Sequence, residues 1–162
     1  MSEKNRAEAI CFTGHRDIDF HTAVKIPPVL KSVIEGYIKR GVYRFRAGGA
    51  MGFDTVAAIC VLELKPKYPH IKLELILPCR DQDKKFDAAS KRAYRDILNR
   101  ADHVEYIYNS YTPDCMLARN RALVDGSCAC VAFCQRSAGG TGYTMAYALK
   151  KGVEVINVND ML

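Results

Sequence analysis

The sequence predicts an α/β fold: an open, mostly parallel sheet with helices on both faces. Three observations lead there. Short apolar runs of strand length recur along the 162 residues. Longer segments with apolar residues at helical spacing alternate with them, which is the pattern of a parallel sheet. Glycine or proline marks the passage from strand to helix, and no internal repeat or linker divides the chain. The expectation is a single domain over residues 1–162.

Each element follows from local chemistry. Ala9-Ile10-Cys11-Phe12-Thr13 reads as a buried first strand, ended by Gly14-His15-Arg16. Pro27 and Pro28 open a helix, since proline is tolerated in a first turn. Leu30, Val33, Ile34, Tyr37 and Ile38 form its apolar stripe, and Gly41 after Lys39-Arg40 stops it. Residues 42–47 are the second strand, leading into the turn Gly48-Gly49-Ala50-Met51-Gly52. Residues 53–64 are the second helix, with Phe53, Val56, Ala57, Cys60 and Leu64 on one face and Pro66 beyond its end. Residues 71–77 are the third strand. Its alternating start predicts one partly exposed face, as at a sheet edge.

Pro78 ends that strand, and residues 83–100 predict a third helix with Phe86, Ala89, Ala93 and Ile97 inward. Residues 103–108 are a fourth strand and 113–125 a fourth helix. Residues 129–134 are apolar throughout, as in a central strand. The loop 135–138 then leads to a second glycine turn, Gly139-Gly140-Thr141-Gly142. A fifth helix over 143–151, capped by Gly152, and a last strand over 153–158 complete the pattern. Residues 9–13, 43–47 and 131–133 are expected in the sheet interior.

Composition sets limits. With 49% hydrophobic and 26% charged residues, the chain is long and apolar enough to bury a core and is not of the disordered class. A net charge of +6 favours anionic ligands without implying nucleic acid. Seven cysteines behind a polar, mixed-charge start point to free thiols in a reducing, cytoplasmic setting. No apolar run approaches the ~20 residues of a membrane span. Cys128, Cys130 and Cys134 share parity along the fifth strand, but their spacing is not that of a metal site. No disulfide and no bound metal are expected.

The chemistry gathers at strand ends. In open α/β sheets, ligands bind beyond the carboxyl ends of the strands, at the switch point. Thr13-Gly14-His15-Arg16, Gly48 to Asp54 and Gly139 to Gly142 all mark such ends on one rim. Glycines and helix starts there let an anion approach backbone N–H groups. Arg16 reads as a bidentate phosphate ligand or a surface arginine. His15 reads as an acid, a base or a hydrogen-bonded structural residue. Asp54 could hold a ribose hydroxyl or serve the helix start. Arg119-Asn120-Arg121 patterns as a solvated helix face. Lys84, Lys85, Lys91, Arg92, Arg95 and Arg100 make the third helix basic. A solvated face accounts for them, and nucleic acid is the other reading.

The ordered set Thr13-Gly14-His15-Arg16, Gly48-Gly49-Ala50-Met51-Gly52-Phe53-Asp54, Arg119-Asn120 and Gly139-Gly140-Thr141 resembles the YpsA-like proteins of the SLOG superfamily. Pro78 and Gln82 also match, and the resemblance runs from about Ile10 to Val158. It implies a Rossmann-like three-layer sandwich with a mostly parallel central sheet. It implies a nucleotide-derived ligand at those residues: ADP-ribose, NAD or a nucleoside phosphate. It also implies a homodimer.

SLOG includes phosphoribohydrolases such as the LONELY GUY enzymes, with the pattern Pro-Gly-Gly-x-Gly-Thr-x-x-Glu after a helix arginine. Arg119, Gly139, Gly140 and Gly142 match that pattern. Ala138, Tyr143 and Ala146 stand where proline, threonine and glutamate belong. Alanine cannot supply the carboxylate that cleavage of an N-glycosidic bond requires. A hydrolase would need Asp54, His15 or Asp125 instead, so binding without reaction and hydrolysis both stand open. The DNA-processing protein DprA adds a third reading, single-strand nucleic-acid binding.

Overall fold

The computed structural model describes residues 3–136 and 139–162. Ala138 of the loop 135–138 lies outside these. In order, the elements are α1 (Glu3–Ala7), β1 (Ala9–Gly14), α2 (Phe20–Ala23), α3 (Ile26–Lys39), β2 (Arg44–Ala47), α4 (Phe53–Leu64) and β3 (Lys72–Leu77). There follow α5 (Ala88–Arg100), β4 (His103–Tyr106), α6 (Cys115–Asp125), β5 (Ala129–Phe133), α7 (Gly139–Lys150) and β6 (Glu154–Asn157). Short 3₁₀ turns occupy Gln82–Lys85 and Val158–Met161. The six strands form one sheet in the order β4-β3-β2-β1-β5-β6, and every pairing is parallel. The segments expected in the interior are there: β1 lies between β2 and β5.

Two cores flank the sheet. On one face α3, α4 and α5 cover Ile10, Phe12, Phe45, Leu73, Leu75, Val131 and Phe133. On the other, α6 and α7 cover Cys11, Ile76 and Cys130 with Leu123, Val124 and Ala148. Phe12 packs on Phe45 and Phe53, and Phe53 stacks on Phe133 at 6.0 Å. Burying each such ring contributes roughly 1.5–3 kcal/mol. Phe53 opens α4, so this aromatic row fixes the helix start against the ends of β1 and β5. The buried face of α4 is wider than one stripe, because Ala58, Val61 and Leu62 are buried as well.

Four expectations are corrected. β3 is not at an edge: it lies between β2 and β4. Its alternation comes from a polar patch on one sheet face, where Arg44 Nε donates to Glu74 Oε2 at 2.9 Å. The helix expected from residue 83 starts instead at Ala88, because the Asp87 side chain accepts the Ser90 N–H at 2.9 Å. A helix start stabilised this way leaves Gln82–Lys85 as a separate turn. Along α5, Ala89 is exposed and Tyr94 takes the inward place. The second glycine turn is itself helical: Gly139 and Gly140 open α7.

Candidate functional site

The chain runs β1 to β4 in one direction across the sheet, then returns through α6 to place β5 on the other side of β1. That reversal is the switch point, where neighbouring strand ends diverge and leave a crevice. A cleft of about 420 Å³ lies there. Thr13, Gly14, His15, Arg16 and Asp17 line it from the end of β1. Ala50 and Asp54 contribute from the start of α4, and Met116, Arg119 and Asn120 from α6. Arg136 and the first turn of α7, Gly139, Gly140 and Thr141, close the far side.

The glycine turn 48–52 forms the wall behind this cleft. Gly52 has φ +80, and a Cβ there would sit 2.3 Å from the Arg16 carbonyl oxygen. Any side chain would push the β1 loop away. The Phe53 N–H donates to His15 O at 3.1 Å and ties the same two segments together. At Gly48, a Cβ would meet Arg119 Nη1 at 2.5 Å and Asp54 Oδ2 at 2.9 Å. Gly49 faces Leu77 and Gln82. Pro78 is buried behind β3, with its carbonyl accepting the Tyr108 N–H at 3.1 Å. Thus Gly48, Gly49, Gly52, Pro78 and Gln82 do not line the cleft; they support it.

Arg119 is no solvated residue; it is 4% exposed. Its Nη1 donates to Gly48 O and, at 3.4 Å, to Gln82 Oε1, while Nε donates to Asn120 Oδ1 at 2.8 Å. Burial lowers its pKa, opposed by the nearby Asp54 carboxylate. Asp54 is 5% exposed and accepts the Ala50 N–H at 3.2 Å. Burial raises its pKa, against the pull of Arg119, the Ala50 N–H and Arg16. The opposite charges of Asp54 and Arg119 thus offset each other's burial at the inner wall of the cleft.

His15 is buried, and its Nε2 accepts the Gln135 N–H at 2.9 Å. An accepting Nε2 requires the neutral ring, and burial with the Arg136 charge lowers its pKa accordingly. The imidazole therefore ties β1 to the end of β5. Arg16 is different: it is exposed, and its guanidinium donates to the Met116 sulfur, Nη2 to Sδ 3.9 Å. Asp17, Met116 and Arg136 are cleft residues that no motif marked. Met116 was legible only as the position one turn before Arg119 and Asn120. Asp125, considered as a replacement carboxylate, instead accepts from the Tyr147 hydroxyl at 2.7 Å outside the cleft. Ala146 lines a neighbouring groove with Met145 and Leu149.

Among the described residues no group of His, Cys, Asp or Glu is placed to hold a metal. Among the same residues no helix is long and apolar enough to cross a membrane.

A six-stranded parallel sheet with helices on both faces and a reversal of strand order at β1 defines a Rossmann-like fold. The model of YpsA, described as the YspA SLOG family, matches residues 10–159, and the chain belongs to that family. It is 37% identical over 142 residues to the uncharacterized SPbeta prophage-derived protein YoqJ of Bacillus subtilis strain 168, covering 80% of this chain and 83% of that one. A UPF0398 protein of Halalkalibacterium halodurans is 34% identical over 94 residues, covering 58% of this chain and 47% of its own. DNA processing protein A (DprA) from Streptococcus pneumoniae shares the fold, with a TM-score of 0.68 at 18% identity over 93% of this chain. This chain spans half of that one. The Helicobacter pylori protein of the same name, described for its single-stranded DNA binding mode, gives a TM-score of 0.66 at 16% identity, over 95% of this chain and 67% of its own.

Proposed function

We infer that this chain binds a nucleotide-derived ligand of the ADP-ribose or NAD type, as a sensor or regulator. One observation carries the reading: Arg16, Arg136 and the first turn of α7 converge on one cleft at the switch point. Exposed guanidinium groups and a helix start together favour phosphate. Asp54 and Asn120 supply acceptors suited to ribose hydroxyls. The buried Arg119 keeps the wall in place rather than meeting the ligand first.

Calorimetric titration with ADP-ribose tests this. The parent is expected to bind, and Arg16→Ala to weaken binding roughly tenfold to a hundredfold, the worth of a charge-assisted bidentate contact. Its stability should change by well under ~1 kcal/mol, because the side chain is exposed. Parent-level binding by the variant would remove Arg16 from the site.

A second reading is single-stranded DNA, favoured by the fold shared with the two DNA processing proteins. Anisotropy with a labelled oligonucleotide separates the two. DNA binding would weaken steeply with salt, since phosphate contacts release counterions. Hydrolysis of nucleotides lacks its usual glutamate, leaving Asp54 and Asp17 as the cleft carboxylates. Free base released from nucleoside monophosphates would revive that reading.

A further inference from the structure

Beside the cleft lies a second hollow of about 480 Å³. Arg16 and Met116 line both, and their contact forms the low wall between them. A thioether is a weak acceptor, so an arriving phosphate can replace it at Arg16 with little loss. The two hollows differ in chemistry. The cleft is marked by guanidinium groups and a helix start. The hollow presents Met51, Phe86 and Tyr111, with Asp81, Lys84 and Lys85 as the charged part of its lining. Phe86 is held edge-on against Tyr94, with centroids 5.6 Å apart, so its ring has a fixed orientation. Tyr111 is 63% exposed and leaves its ring available to a ligand.

The floor of the hollow is occupied in structural work. Gln82 Nε2 donates to Gly48 O at 3.3 Å, and its Oε1 accepts from Arg119. That amide joins the floor of the hollow to the wall of the cleft. Burial pushes the Cys79 thiol up to about 11, so it stays protonated and unreactive at neutral pH. The hollow thus has aromatic and thioether surface but no activated nucleophile. Flat, polarisable walls of this kind suit a nucleobase.

We propose that this hollow takes the base of the nucleotide whose phosphates occupy the cleft. The ligand is then a nucleoside diphosphate or its ester, not a sugar phosphate. Arg16 stands where base-side and phosphate-side halves join, and each hollow is of ordinary small-ligand size, roughly 300–1,000 Å³. The proposal rests on the nucleotide reading above and adds the second half of the ligand.

The experiment titrates the parent, Tyr111→Ala and Arg16→Ala with ADP and with inorganic pyrophosphate. The parent should bind ADP at least tenfold more tightly than pyrophosphate. Tyr111→Ala should weaken ADP binding roughly tenfold, the scale of one lost base–aromatic contact, and leave pyrophosphate unchanged. Arg16→Ala should weaken both. Equal parent affinity for ADP and pyrophosphate, or parent-level ADP binding by Tyr111→Ala, overturns the hollow and leaves the cleft reading standing. If the parent binds neither ligand, the cleft reading and the hollow fall together.

Discussion

His15 is the residue whose behaviour in solution follows most directly from its bonds. Its Nε2 accepts a backbone N–H, so the folded state holds the ring neutral and its pKa below the ordinary 6.5. The unfolded chain takes up a proton more readily there. Between the two pKa values the unfolded state binds more protons, so stability rises with pH through that window. Acidification from neutral pH should therefore lose stability below about pH 6.5, before the carboxylates titrate. His15→Gln keeps an acceptor and removes the proton, so its denaturation midpoint should be flat across the same window. A slope equal to that of the parent would place the titrating group elsewhere. The sequence marked His15 and Arg16 as neighbours but could not say that one faces the wall and the other the solvent. Arg119 was less legible. An Arg-Asn-Arg helix segment looks solvated until the carbonyl of Gly48, 71 positions away, is brought beneath it.

At the scale of elements, the turn between β2 and α4 is the most demanding piece. Gly52→Ala introduces a Cβ against the Arg16 carbonyl at a φ of +80. Backbone strain of about 1–3 kcal/mol and overpacking of similar size together predict a loss of roughly 2–6 kcal/mol. Chemical denaturation measures it, and a loss below ~1 kcal/mol would mean that the turn relaxes freely. The glycines of this turn were plain in the sequence, yet their role as wall was not, because spacing does not tell which neighbour a missing side chain leaves room for. The start of α7 was hidden for a related reason. Glycine is poor helix material, so Gly139 and Gly140 read as a turn although tertiary packing makes them helical. β3 reads as an edge because alternation reports which sheet face is covered, not how many strands lie alongside.

For the whole molecule, the strand order was inferable in kind and not in detail. Apolar runs gave parallel, interior strands; the return of β5 to the side of β1 depends on contacts between distant segments. Acid unfolding should have a second stage. At Asp102, burial opposes ionisation, but Lys65 and the Leu73 N–H outweigh it and lower the pKa. The Asp87 carboxylate is lowered by the Ser90 N–H and hydroxyl. Stability from such groups is full above the ordinary carboxylate pKa and is lost as pH falls through the depressed folded values. A pH titration of the unfolding midpoint should thus show two descents, the first absent in His15→Gln and the second retained.

The bond from Gln135 to His15 spans 120 residues. During synthesis, β1 must wait for that partner while the chain between them is made. At ribosomal rates of about 5–20 residues per second, the delay is on the order of ten seconds. Through that interval one edge of β1 has no neighbouring strand, and the crevice has only one bank. A nascent chain can gather β1, β2 and β3 early, but both banks of the crevice exist only once β5 and the start of α7 have emerged. A nucleotide bound as proposed would therefore stabilise only chains that extend at least through Thr141.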